Sequence, residues 1–84
     1  MIHISHAELN KQITEAGKHV TVGDIYKHYK YQDRDYQVIG FGIQEATRKV
    51  CVIYSDTSSP DIRFVRDLDS WLEQVGDVPR FVLA

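Results

Sequence analysis

A two-residue alternation that begins near residue 23 constrains the fold of this chain more than any other feature. Tyr26, His28 and Lys30 share one parity of the segment, and the residues between them share the other. Successive side chains of a β-strand point to opposite faces. One face of the predicted strand therefore carries side chains with an apolar body and a polar tip, where a strand made only for a core would carry aliphatic ones.

Length and composition indicate one small folded domain. The chain has 84 residues, of which 43% are hydrophobic and 11% aromatic, which argues against disorder. Cys51 is the only cysteine, so an internal disulfide is excluded, and its apolar neighbours predict a buried thiol. No run reaches the length of a signal peptide or a membrane span, so we expect a cytoplasmic protein with no membrane partner.

The first predicted element is an N-terminal helix with clear start and stop signals. Ser5 can act as the N-cap, and Glu8 completes a capping box. Leu9 begins a narrow apolar stripe, and Gly17 is placed to end the helix in a left-handed conformation. We predict that residues 1–19 form a helical extension and residues 20–84 a β-barrel domain.

Alternation, turns and glycines predict a mainly β (α+β) fold. Gly40 and Gly42 inside one strand indicate a bulge or strong bend, which would let a short sheet curl into a five-stranded SH3-like barrel. A short helical turn is predicted near residues 67–75, capped by Asp67. We expect core positions at Val52, Phe64, Trp71 and Leu72. The predicted strands cover residues 22–31, 35–43, 49–55, 62–66 and 79–83.

These features resemble a bacterial domain-of-unknown-function family, numbered 1653. The resemblance covers about residues 22–81 and lies in the order and spacing of many positions. It supports the fold more than a function, because the family has no settled activity. The matching positions are Gly23, Tyr26, His28, Tyr29, Lys30, Tyr36, Thr47, Tyr54, Val65, Arg66, Trp71, Glu73, Pro79, Arg80 and Phe81.

This chain departs from the family pattern at several positions, and one of them is Tyr31, where the family usually has a small residue. Gln44 stands where a histidine is common, and Ala46 stands where a glutamate is common. If the family shares a ligand that needs those two side chains, this chain has altered or lost it.

One set of amphipathic residues is the candidate ligand-binding face. Aromatic rings could stack on a ligand while the guanidinium groups hold an anionic or carbonyl group. The structural alternative is that the rings are half-buried barrel residues and the arginines bridge strand ends to acidic neighbours. The set consists of Tyr26, His28, Tyr36, Tyr54, Arg66 and Arg80.

The sequence favours a non-catalytic recognition module that binds a protein, a peptide or a small ligand. No nucleophile or acid–base motif accompanies His28, so we predict no enzyme activity and no catalytic residues. His3, His6 and His19 are too weak a pattern for a metal site, and we expect no metal or cofactor. The terminal edge strand and the thin helix could also pair two copies of the chain as a homodimer.

Single-stranded nucleic acid, RNA above all, is the alternative ligand. The interleaved aromatic and basic residues 26–31 are suited to stacking bases along a groove. The charge balance opposes this reading: the net charge is −2, and residues 18–49 reach only +2 from six basic and four acidic residues.

Overall fold

The computed structural model describes residues 4–84 and shows a mainly β domain with one N-terminal helix. A five-stranded antiparallel sheet forms its body, in the order β4-β3-β2-β1-β7, and β5 and β6 form a separate two-stranded hairpin. The elements are α1 (His6–Ala16), β1 (Ile25–His28), β2 (Tyr36–Gln44), β3 (Lys49–Asp56), β4 (Phe64–Asp67), α2 (Leu68–Leu72), β5 (Gln74–Val75), β6 (Val78–Pro79) and β7 (Phe81–Leu83).

The sheet bends but stays open. A register shift between Val38 and Gly40 interrupts the β2–β3 pairing, as the glycines predicted. In the described part of the chain β4 and β7 are the two edges, and no pairing joins them. The fold class and the helix are confirmed, and the closed SH3-like barrel is not.

Helix α1 begins as its sequence predicts and ends differently. The backbone N–H of Glu8 donates to Ser5 Oγ at 3.2 Å, so Ser5 is the N-cap. Leu9 and Ala16 are buried, and the helix packs against β2 and β3. Gly17 is wrong as a left-handed cap: its φ is −63°, because the chain continues through another turn that brings the fully buried Val20 into the core.

Helix α2 is shorter than predicted, and two of the four expected core residues are not buried. Trp71 and Val52 lie in the core, at 3% and 0% exposure. Leu72 and Phe64 are 46% and 43% exposed, so both predictions were wrong. Leu72 is the last residue of α2, and Phe64 begins an edge strand. Asp67 precedes α2 but makes no side-chain cap.

The core is largely aromatic. Trp71 stacks on Phe81 with ring centres 3.7 Å apart and planes at 4°. Edge-on contacts join Trp71 to Tyr26 and to Tyr54, so α2, β1, β3 and β7 meet at one side chain. Cys51 is buried, as predicted. In the described residues no helix is long and apolar enough to cross a membrane. His3, named above for a possible metal pair, lies outside them.

Candidate functional site

His28 occupies the last position of β1, where it pairs with Phe81 of β7. Its ring is 7% exposed, and its Nδ1 accepts a hydrogen bond from the Lys30 backbone N–H at 3.1 Å. Because Nδ1 accepts, the proton of the neutral ring is assigned to Nε2. The strand end therefore presents an imidazole with a fixed tautomer and an Nε2–H donor.

Aromatic rings surround this imidazole. Tyr29 lies at 4.7 Å between ring centres, Tyr31 stacks at 5.3 Å, and Phe81 makes an edge-on contact at 5.0 Å. Desolvation by burial lowers the pKa of His28, and the positive charges of Arg66, Arg80 and Lys30 lower it further. The ring is thus held neutral at pH 7.

Arg66 reaches the same region from β4. Its Nε donates to the Tyr54 hydroxyl at 3.4 Å, and its Nη1 donates to Ser70 Oγ at 3.0 Å. The guanidinium lies over the Phe81 ring at 5.6 Å. Its side chain is half-buried, and none of the ion pairs among residues 4–84 includes it.

A hollow of about 340 Å³ lies between these groups. Its walls are aromatic, its charged lining residues are arginines, and no aspartate or glutamate lines it. Arg34 stands at the rim with its guanidinium 5.2 Å from the Tyr31 ring centre, and the Tyr36 hydroxyl beside it raises the pKa of Arg34 further. The lining consists of His28, Tyr31, Arg34, Tyr36, Tyr54, Phe64, Arg66 and Phe81.

The hollow brings together most of the residues selected from the sequence. His28, Tyr36, Tyr54 and Arg66 line it. Tyr26 does not: its ring packs on Trp71 in the core, and its hydroxyl accepts a hydrogen bond from a backbone N–H.

Arg80 also lies outside the lining. Its Nε donates to the Ser70 carbonyl at 3.0 Å, and its Nη2 lies 3.5 Å from a Glu73 carboxylate oxygen. Arg80 follows the structural alternative weighed for it, a strand-end bridge, although its charge still acts on His28.

Sequence reasoning did not assign four lining residues to this site. Tyr31 and Arg34 belong to the β1–β2 connection. The only sequence feature that could have indicated them is an arginine three residues after a tyrosine in this polar connection, and the structure places that guanidinium beside the ring. Phe64 pairs with Tyr54 across β3 and β4, and Phe81 pairs with His28 across β1 and β7. Only the register of the sheet reveals those two, because neighbours in a sheet are distant in sequence.

A second hollow, of about 500 Å³, also borders His28. Its lining is mainly apolar, with Val78, Pro79 and Val82, and the amine of Lys27 there is paired with Asp35 at 2.6 Å. The charge of Lys27 is thus neutralised, whereas Arg66 in the first hollow forms no ion pair within residues 4–84. The first hollow is therefore the candidate site.

Fold and site together define a small mainly β domain with an aromatic, electropositive hollow at the end of its second-from-edge strand. The chain belongs to the family described as "Protein of unknown function (DUF1653)", whose model matches residues 24–83. No curated protein and no solved structure matches the chain.

Two departures from the family pattern, Gln44 and Ala46, lie away from the hollow, whereas another, Tyr31, lines it. Gln44 is the exposed last residue of β2 and Ala46 is exposed in the β2–β3 turn, and the Gln44 side-chain oxygen accepts a hydrogen bond from the Ala46 N–H at 2.7 Å. Neither residue lines the hollow. A role for these two positions would therefore belong to a different surface.

Proposed function

We propose that the domain is a non-catalytic recognition module that binds a peptide or a small ligand in the hollow beside His28. The observation that carries this proposal is Arg66, a half-buried guanidinium that lies among aromatic rings and forms no ion pair within residues 4–84. Aromatic faces supply contact area and the arginines supply polar anchors, a combination enriched in binding hot spots. Tyr26 and Arg80 support the face from behind.

A non-catalytic role fits the surroundings of His28. The hollow offers this imidazole cations and aromatic rings, and its lining includes no carboxylate, serine or cysteine. A histidine that activates a nucleophile, or that is oriented as in a catalytic triad, would need such a partner within hydrogen-bond reach. The cytoplasmic location, the SH3-like description and pairing of two copies along the β7 edge stay predictions from the sequence.

An NMR screen tests the proposal. We expect small aromatic and acetylated dipeptide-amide fragments to shift the amide signals around His28, Tyr31 and Phe64. Tyr31→Ala should weaken binding of the hits by about fivefold or more, because stacking on an exposed ring contributes roughly 1–3 kcal/mol and 1.4 kcal/mol is tenfold. Ile62→Ala is the control, since Ile62 is exposed and lines neither hollow. Fragments that shift mainly the amide signals of Val78 and Val82, or whose affinity is unchanged by Tyr31→Ala, would overturn the proposal.

One observation favours single-stranded nucleic acid as a second candidate. The exposed Tyr31 ring lies near two cations, Lys30 at 5.7 Å and Arg34 at 5.2 Å, as a stacking platform for bases would require. A salt titration with a short oligouridine separates the two functions. Phosphate binding weakens log-linearly with salt, whereas contact with a neutral dipeptide amide hardly changes.

A further inference from the structure

Two other partly buried cations of the chain lie beside acidic partners, whereas the arginines of the hollow form no ion pair within residues 4–84. Lys27 is paired with Asp35, and Arg80 lies beside Glu73. Arg66 is half-buried and has no such partner within residues 4–84. A cation removed from water costs stability unless an opposite charge or hydrogen bonds compensate it. Hydrogen bonds to the neutral oxygens of Tyr54 and Ser70 solvate the Arg66 guanidinium without cancelling its charge, so the hollow stays electropositive and favours a bound anion.

The donors of the hollow are already oriented. Tyr54 and Ser70 each accept one hydrogen bond from the Arg66 guanidinium, which fixes its plane and leaves its remaining N–H groups for a ligand. Such a planar fork matches the two oxygens of a carboxylate or phosphate.

His28 adds a neutral donor beside this fork. Within residues 4–84 no protein group accepts a hydrogen bond from His28 Nε2, and the imidazole lines the hollow. It can donate a hydrogen bond to an anion without the cost of burying another charge.

The aromatic walls of the hollow indicate what kind of chemical group carries the anion. Tyr36, Tyr54 and Phe81 are buried to 8% exposure or less and form the inner wall, while Phe64 is 43% exposed at the mouth. Flat apolar groups pack well against such rings, in stacked or edge-on contact.

From this arrangement we infer that the ligand of the hollow carries an oxyanion, carboxylate or phosphate, on a flat apolar body. The oxyanion would lie between Arg66, Arg34 and the Nε2–H of His28, and the body would lie against Tyr54 and Phe64. This inference rests on the proposed function and names the chemical class of the ligand.

Matched probes test the inference. Benzoate, phenyl phosphate and benzamide share a ring, and benzamide has no charge. NMR titrations should place benzoate or phenyl phosphate in the hollow at least tenfold more tightly than benzamide, since a charge-assisted pair contributes about 1.5–3 kcal/mol and 1.4 kcal/mol is tenfold. The stronger of the two anions identifies carboxylate or phosphate as the preferred group.

Variants assign the effect to the arginines. Arg66→Gln should weaken the preferred anion about tenfold or more and leave benzamide unchanged. Arg34→Gln, at the exposed rim, should weaken it several-fold and does not put folding at risk. Arg63→Gln is the control, because Arg63 is exposed and lies outside the hollow.

The outcomes separate the two proposals. If benzamide binds in the hollow as tightly as both anions, or if Arg66→Gln and Arg34→Gln leave the anions unaffected, the oxyanion inference is wrong while a recognition role survives. If no probe shifts the amide signals of the residues that line the hollow, the oxyanion inference and the proposed recognition function are both wrong. Tighter anion binding that is lost in both arginine variants and kept in Arg63→Gln supports the inference.

Discussion

At the scale of single residues, the site depends on how one imidazole is held. Strand parity predicted that Tyr26 and His28 share a face, and both are buried. Parity could not predict that the hollow lies only at the His28 end of β1. That depends on the pairing of His28 with Phe81 and on the Lys30 N–H that fixes the tautomer, and neither is visible in the local sequence.

The lowered pKa of His28 makes stability depend on pH. Its cause is burial first and then the charges of Arg66, Arg80 and Lys30. In the unfolded chain a histidine titrates near about 6.5, so below that pH the unfolded state binds more protons than the folded one. The contribution of neutral His28 is therefore complete above about pH 6.5 and is lost as the pH falls through the lower, folded-state pKa.

Denaturant unfolding at about pH 7 and about pH 5 measures this loss. The wild-type chain should lose more free energy of unfolding over that interval than His28→Gln, which cannot take up the proton. Equal slopes for the wild-type chain and His28→Gln would contradict the prediction.

At the scale of elements, the sequence correctly predicted features that depend on interactions between residues close in the chain. The N-cap at Ser5, the bulge near Gly40 and the polar connection between β1 and β2 are found where the sequence indicates them. The β5–β6 hairpin was missed, because its strands have two residues each and its turn at Gly76 resembles a helix end. Tertiary packing, here of Trp71 on Phe81, determines how such short segments fold.

The β2–β3 turn contains a strained residue that the sequence does not reveal. Arg48 has φ of +58°, in the left-handed region, and its Nε is buried without a partner. That conformation costs a residue with a side chain about 1–2 kcal/mol, and glycine adopts it without the cost.

Arg48→Gly should therefore raise the free energy of unfolding by roughly 0.5–1 kcal/mol, after allowance for the greater freedom of glycine in the unfolded chain. Thermal or urea unfolding gives the value. Ala46, in the same turn, has a negative φ, so Ala46→Gly should lower the free energy of unfolding. A loss in both variants would show that the turn stores no such strain.

At the scale of the whole molecule, one aromatic cluster joins the elements. Helical periodicity predicts that Trp71 and Leu72 are both buried, since both fall on the apolar spacing of the predicted helical turn. The structure separates them: Trp71 is 3% exposed and contacts rings from β1, β3 and β7, whereas Leu72 is 46% exposed. A domain of 84 residues has a net stability of about 5–15 kcal/mol at most, so its largest core side chain decides whether it folds.

Trp71→Ala should cost about 3–5 kcal/mol, because it removes the stacking partner of Phe81 and leaves a cavity beneath the hollow. Leu72→Ala should change the free energy of unfolding by no more than about 0.5 kcal/mol, as exposed positions usually do. Urea unfolding followed by circular dichroism compares the two. Similar losses at both positions would mean that α2 packs on the sheet by another face, and the hollow above Phe81 would then lack the inner wall on which ligand binding depends.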